Sequence, residues 1–284
     1  MTKPSALPIH KIDTISDLGF AIKVIRSDNS SHTPVSYAHR DDFYLFGLIE
    51  NGQVDCSIDF KEYHLTKGDC MFVIPGQVHL FHKADRLDAR MLIVDKAFVS
   101  EPIRYILDEA AMRYCRCKVS ASEKSGLSAI LNIIAERVGN LNAKCGNTVI
   151  RNLIAAYIGI VAESFMLKLK AHSNYTSRQR ELYLRFKNLL SAEINSHRAP
   201  SYYAEKMNIS AVYLNEVIRK VCGISVSGYI KSEIILRAKR MLCYTSLSVK
   251  EISESLGFDD ASYFSRLFSE TAGISPTEFR RNLG

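Results

Sequence analysis

Residues 248–281 read SVKEISESLGFDDASYFSRLFSETAGISPTEFRR, and this stretch decides the fold of the C-terminal half. Ser248 followed three residues on by Glu251 is a capping box, so a helix begins there. Ile252 and Leu256, four apart, give that helix one apolar stripe. Gly257 supplies a position where φ can be positive, so the chain can turn sharply. Phe258 plugs the corner, and Asp259 or Asp260 caps a second helix. In that helix Phe264, Leu267 and Phe268 share one face and leave Ala261, Ser262, Ser265 and Arg266 on the other. Gly273 ends it, and Ser275-Pro276 starts a last short helix. Two short helices joined by a glycine turn predict a helix-turn-helix, although an ordinary helical hairpin fits the same spacing.

The pattern occurs twice. Tyr213-Leu214-Asn215-Glu216-Val217-Ile218 matches Tyr263-Phe264-Ser265-Arg266-Leu267-Phe268 about 50 residues later, and Gly223-Ile224-Ser225 matches Gly273-Ile274-Ser275. Met207-Asn208-Ile209 matches Leu256-Gly257-Phe258, with one extra residue in the second turn. Asn208 stands where the second copy has Gly257, and Asn is the next best residue for a left-handed turn. A duplicated helix-turn-helix suggests one chain touching two successive major-groove segments on one face of a duplex.

These runs resemble the C-terminal domain of AraC/XylS-type transcription regulators. The resemblance covers residues 198–281. It is most specific in GFDDASYFSRLFSETAGISPTEFRR and looser in YYAEKMNISAVYLNEVIRKVCGISVSGYI. It implies a two-part helical DNA-binding unit whose halves are joined by a helix, here Ile230 to Leu242, with Ile234, Ala238 and Met241 packing inward. It also implies double-stranded promoter DNA as partner, RNA polymerase as a second, and activation more often than repression.

By the same resemblance, the outward faces of the two second helices enter the major groove. In the first copy these are Ala211, Val212, Asn215, Glu216 and Arg219; in the second, Asp260, Ala261, Ser262, Ser265 and Arg266. Arg266 is the best single base reader, because a guanidinium can make two hydrogen bonds to a guanine edge. A phosphate contact, which positions without specifying, is the alternative. Ser262 can donate to base or phosphate, Ala261 and Val212 can meet a thymine methyl, and Asn215 can read adenine. Glu216 is unlike the basic residue many relatives carry there; a carboxylate repels phosphate but accepts from a cytosine amine. The first copy is therefore expected to read a different sequence from the second, or to read weakly.

Length and composition fit this reading. A chain of 284 residues is comfortable for two domains. The formal charge is +7, and residues 176–284 carry 16 Lys and Arg against 11 Asp and Glu, while the rest carries 21 against 19. The basic excess thus lies mainly in the helix-turn-helix half and mildly favours a polyanionic partner. Seven cysteines, Cys56, Cys70, Cys115, Cys117, Cys145, Cys222 and Cys243, show no zinc-module spacing. They read as reduced thiols, with Cys115-Arg116-Cys117 the one close pair open to a redox role. Met1 to His10 lacks the apolar core of a signal peptide. The most apolar run, Leu153 to Ala162, falls short of the ~20 residues of a membrane span. A cytoplasmic location with no membrane partner is expected.

Residues 1–100 read as short strands. Phe43 to Ile49 and Val54 to Phe60 flank Glu50-Asn51-Gly52, a turn with an Asn-Gly step. Lys67-Gly68-Asp69 is another turn, Cys70 to Ile74 a strand, Pro75-Gly76 a break, and Val78 to His82 and Met91 to Val94 further strands. A small antiparallel barrel or sandwich follows. The order of His39, Gly68-Asp69 and Pro75-Gly76-x-x-His79 resembles the cupin-like sensor domain of AraC-type regulators. Metal-binding cupins carry His-x-His and a nearby Glu, whereas this chain has His39-Arg40-Asp41-Asp42, so neither metal nor cofactor is expected, although His39 and His79 can meet. A barrel of this size can hold one small effector, with Tyr44, Phe46, Phe72, His79 and Phe81 as candidate lining residues; plain core packing is the competing role for each.

Residues 101–175 read as helical. Glu101-Pro102 opens the section; Leu127, Ile130, Leu131, Ile134 and Val138, then Val149, Leu153, Ala156, Tyr157 and Ile160, recur at helical spacing. Two amphipathic helices after a barrel resemble the dimerisation helices of AraC-type proteins; packing onto the barrel of the same subunit is the alternative. The polar run His172-Ser173-Asn174-Tyr175-Thr176-Ser177 reads as a linker before the DNA-binding domain at 176–284. The whole is an α+β chain: a cupin-like sensor barrel, a helical segment and an all-α double helix-turn-helix. Two other functions remain open at this point. A cupin-type metalloenzyme with an appended helical domain needs a metal triad, and a helical protein-interaction module would show no salt-sensitive DNA binding.

Overall fold

The structure is a computed structural model describing residues 7–27, 35, 37–138, 146–170 and 175–282. Cys145 and His172 to Asn174 lie outside the described residues. The chain divides into two compact units, Pro8–His172 and Ser173–Gly284.

The first unit is built on two long strands. The eight strands are β1 (Ile9–His10), β2 (Phe20–Ser27), β3 (His39–Asp41), β4 (Tyr44–Ile58), β5 (Lys61–Thr66), β6 (Asp69–Val73), β7 (Val78–Val94) and β8 (Arg116–Lys118). β4 and β7 pair antiparallel from Tyr44↔Val94 to Ile58↔His79. Shorter strands attach to their two halves. β6 and β5 lie along β4, and β2 and β3 lie along β7. The order β1-β3-β7-β4-β6-β8 makes an open, cupin-like barrel.

The Asn51-Gly52 step is not a hairpin turn. The chain runs straight on through it as β4, and the pairing with β7 shifts register between Ile49 and Asn51 and again between Asn51 and Gln53. Gly52 (φ +73°) forms a bulge against the β7 backbone, where an added Cβ would lie 2.0 Å from the Arg86 carbonyl oxygen. Pairing along the whole of β7 overrides the local turn signal. The hairpin turn falls instead at Asp59-Phe60, both with positive φ, where no glycine marked it. Asp59 is held there by Val78 N–H, which donates to its Oδ1 at 3.1 Å. The Val78 to His82 and Met91 to Val94 strands likewise prove to be the two ends of β7.

Three helices cover the sheet: α1 (Glu101–Arg113), α2 (Ala121–Val138) and α3 (Gly146–Lys170). α2 buries Leu127, Leu131 and Ile134 in one core with the strands. α3 buries Ile150, Ile154, Tyr157, Ile158, Val161, Phe165 and Leu169 in the same core. This stripe is offset from the one the sequence suggests, since Ala156 is exposed and Val149, Leu153 and Ile160 only half-buried. The apolar faces of both helices are thus used within the subunit. Gly146–Leu169 is long and apolar enough by length and composition to cross a membrane, which the ten-residue reading of this run missed. Its apolar stripe packs on the strands, with Phe165 edge-on to Phe72 at 4.7 Å.

The second unit is all helical: α4 (Ser177–Glu193), α5 (Pro200–Lys206), α6 (Ala211–Cys222), α7 (Val226–Tyr244), α8 (Val249–Ser255), α9 (Ala261–Ala272) and α10 (Pro276–Asn282). The central α7 contacts α6 on one side and α8, α9 and α10 on the other. Tyr183, Phe186, Tyr203 and Tyr229 form the aromatic core of its first half, with Tyr183 and Tyr229 hydroxyls 3.1 Å apart. Phe258, Phe264, Phe268 and Phe279 form that of the second.

Candidate nucleic-acid interface

The two helix-turn-helices repeat each other in detail. α5 and α8 are seven residues each; α6 and α9 are twelve. Asn208 (φ +54°) and Gly257 (φ +79°) make the turns. Ile209 N–H donates to Ala204 O and Phe258 N–H to Ser253 O, both at 3.0 Å. Ser210 caps α6 by accepting from Tyr213 N–H, and Asp260 caps α9 by accepting from Ser262 N–H. Gly223 and Gly273 close the helices at φ +78° and +81°. The capping box at Ser248 and Glu251 is complete.

These caps and apolar stripes decide what α6 and α9 present. Leu214, Val217, Ile218 and Val221 are buried in α6; Phe264, Leu267 and Phe268 in α9. Outward from α6 point Ala211, Val212, Glu216 and Arg219, with Val212 80% exposed. Outward from α9 point Ser262 and Arg266; Ala261 is half-buried. Among the described residues Arg266 makes no ion pair, so its guanidinium is available to a ligand.

Three predicted readers are engaged within the fold. The Asn215 side-chain oxygen accepts from Val226 N–H at 3.1 Å, tying α6 to the first turn of α7. Reading adenine needs that oxygen, so Asn215 in this state holds the scaffold. Ser265 Oγ donates to Ala261 O, and the Asp260 carboxylate is the α9 cap.

The exposed surface also includes residues the sequence reading left out. Lys220 joins Val212, Asn215, Glu216 and Arg219 around a shallow concavity on α6. Tyr263 is 50% exposed and its counterpart Tyr213 is exposed too. Their repetition at the same place in both motifs was the available signal. A missed positioning residue is Arg198, before α5. Its Nη2 donates to Leu256 O (2.7 Å) and Gly257 O (2.5 Å), and its guanidinium lies 3.6 Å from the Phe258 ring centroid. It fastens the turn of the second motif to the base of the first. Nothing in sequence spacing announces that contact.

In the first unit, the pocket candidates fall on two surfaces. Phe72 faces α3 through Phe165, and Phe46 is its cross-strand partner on the same face. Tyr44, two residues along, stacks on Phe46. All three are buried core between sheet and helices. His79 is elsewhere, register partner of His39, with Phe81 6.1 Å from its ring. Burial lowers His79 to about 3 and His39 to about 4, and raises Asp41 to about 7. Gly68-Asp69 is structural: Asp69 accepts from Thr66 N–H (2.7 Å) and from Arg116 Nε (2.9 Å), closing β5 onto β6 and holding β8. Cys115 and Cys117 are buried, which pushes their thiols up to about 11 and about 12 and away from thiolate reactivity.

Comparison with known proteins gives two family matches: a helix-turn-helix domain over residues 203–282 and an AraC-like ligand binding domain over 22–125. Together they span more than half the chain, in the order found in the structure. The chain belongs to the AraC family. Among its relatives, the Msm operon regulatory protein of Streptococcus mutans is 26% identical over 245 residues, covering 85% of each chain. The transcriptional activator RhaR of an Enterobacter strain is 20% identical over 283 residues, covering 96% of each. The arabinose operon regulatory protein of Salmonella typhimurium is 35% identical over 92 residues, which is 31% of this chain and 33% of that protein. As an AraC-type protein this chain is a transcription regulator, with an N-terminal ligand-binding domain and a C-terminal helix-turn-helix DNA-binding domain.

Proposed function

We propose that this AraC-family chain is a cytoplasmic, non-enzymatic activator that places α6 and α9 in successive major-groove segments of promoter DNA. The observation that carries the reading is the repeated pair of exposed twelve-residue helices on either side of α7, each with a side-chain N-cap and a left-handed glycine at its end. Arg266 reads a base edge from α9, helped by Ser262. Val212, Glu216, Arg219 and Lys220 form the face of α6, whose Glu216 carboxylate repels phosphate but accepts from a cytosine amine, so that α6 reads a different sequence from α9 or reads its half-site more weakly. The functional division is a sensor over 1–100, a helical segment over 101–175 and a DNA-binding domain over 176–284; the two compact units support the second of these boundaries, and the sensor and helical segment share one unit. The first unit takes a small-molecule effector, and RNA polymerase is the second macromolecular partner. Homodimerisation is part of the reading, supported by exposed Ile133 on α2 and Leu167 on α3. Sedimentation of the full chain tests that point.

The deciding experiment is selection of bound duplexes from a random DNA pool with the full chain and with Arg266→Ala. Two short elements roughly one helical turn apart are expected. Arg266→Ala should lose about 1–3 kcal/mol on the selected site and relax one base position. Equal weakening on every sequence would assign Arg266 to phosphate. Failure of the folded chain to enrich any sequence would favour a protein-interaction module.

A further inference from the structure

β1, β3 and β7 gather three imidazoles and a carboxylate in the first unit, apart from the helix-turn-helix surface. His39 on β3 is paired with His79 on β7, so both rings project from one face, with centroids 4.2 Å apart. β1 runs parallel to β3 with His10 opposite Asp41, and the His10 ring lies 4.2 Å from that of His39. Asp41 is two residues along β3 from His39 and so shares its face. Its Oδ1 is 3.5 Å from His10 Nδ1 and 3.8 Å from His39 Nε2, and its Oδ2 is 3.4 Å from His79 Nε2.

Asp41 is 3% exposed, and its Oδ1 is buried without a hydrogen-bond partner. The tautomers explain why. His39 Nδ1 is 2.9 Å from the Tyr37 carbonyl oxygen, which can only accept. The ring hydrogen therefore sits on Nδ1, and Nε2 turns a lone pair toward the carboxylate. His79 is arranged in the same sense, with Nδ1 3.5 Å from the Gln77 carbonyl. His10 Nε2 is occupied by the Tyr37 hydroxyl at 3.0 Å, leaving Nδ1 toward Asp41. At His39 and His79, acceptor nitrogens thus face the Asp41 carboxylate at a buried point, an arrangement that costs free energy until a proton or a metal cation lies between them.

We propose that His10, His39 and Asp41, with His79 alongside, bind a divalent first-row transition ion of the zinc class. The donor atoms of the first three lie within 4.8 Å of one another. Bonds of about 2.0–2.1 Å in a tetrahedral site set donor atoms about 3.4 Å apart, close to the separations around Asp41. Imidazole nitrogens with one carboxylate select zinc, cobalt or nickel over magnesium or calcium, which take oxygen donors. The carbonyls behind His39 and His79 supply the outer hydrogen bonds that orient ligating imidazoles. Because His10 comes from β1, a bound ion would join Ile9–His10 to β3 and β7. His79 stands nearest as a fourth donor.

The test uses the full chain, stripped with chelator, loaded with Zn²⁺ or Co²⁺, desalted and analysed by plasma mass spectrometry. About one ion per chain is expected to be retained, with a ligand-field absorption band in the cobalt form and a higher melting temperature in both. His10→Ala, at a partly exposed position, should fold normally and bind at least tenfold more weakly. Asp41→Asn should also lose the ion. No retention of Zn²⁺, Co²⁺, Ni²⁺ or Mn²⁺ by the wild-type chain would overturn the proposal and leave a shared proton between these groups. Wild-type affinity in either variant would overturn it as well.

Discussion

Replacing Gly257 with alanine separates two costs that a helix-turn-helix glycine can carry. Gly223, Gly257 and Gly273 have nearly the same backbone, at φ +78°, +79° and +81°. A Cβ added at Gly223 or Gly273 meets nothing within 4 Å, whereas at Gly257 it would lie 2.0 Å from the Asn195 carbonyl oxygen. Gly273→Ala therefore pays only the left-handed backbone strain, about 1–2 kcal/mol. Gly257→Ala adds an overpacked contact with rigid backbone, about 1–3 kcal/mol. It also disturbs the Arg198 hydrogen bonds to Leu256 and Gly257, half-exposed and so worth about 1 kcal/mol together. The expected losses are about 1–2 kcal/mol for Gly273→Ala and about 3–6 kcal/mol for Gly257→Ala. At roughly 4 °C per kcal/mol, the melting temperatures should differ by about 8–16 °C. Calorimetry of the full chain, with circular dichroism of residues 173–284 alone, measures this. Equal destabilisation by the two substitutions would refute the close approach and leave only the backbone strain.

Other substitutions probe single contacts. Asn215→Ala should lower stability by about 1 kcal/mol through loss of the bond to Val226 N–H, with base preference unchanged in a DNA selection; a preference altered at one position would return Asn215 to the readers. Arg198→Lys keeps the charge but loses the planar fork over Phe258, so DNA affinity should fall while α5 and α6 stay folded, as footprinting of the two half-sites would show. An unchanged footprint over both would mean that the second motif holds its place without Arg198. Asp69→Ala removes a fully buried carboxylate facing Arg116 and Lys118 and should cost about 3 kcal/mol in urea unfolding; a loss below 1 kcal/mol would mean these cations are satisfied by water.

The sequence by itself determined the second unit closely. Ser248 with Glu251, Asp260, Gly223, Gly257, Gly273 and Asn208 all take the roles their chemistry dictates, because caps and turns depend on residues within four positions of one another. The exposed faces of α6 and α9 follow from the same local periodicity. In the first unit the order of residues gave the strands but misplaced their joins. Asn51-Gly52 carries a turn signal, yet it continues β4 because pairing with β7 gains more hydrogen bonds than a local turn would. Tyr157 lies in the buried stripe of α3 as its spacing implies, but Ile150, Ile154 and Val161 fall one position from those the spacing suggests, because an apolar helix of this length offers several faces and only the sheet chooses among them. Tertiary structure alone brought Arg198 to the turn at Gly257, 59 residues away, and His10 to Asp41. Both depend on distant segments meeting in space, and neither leaves a periodicity or spacing in the chain to announce it.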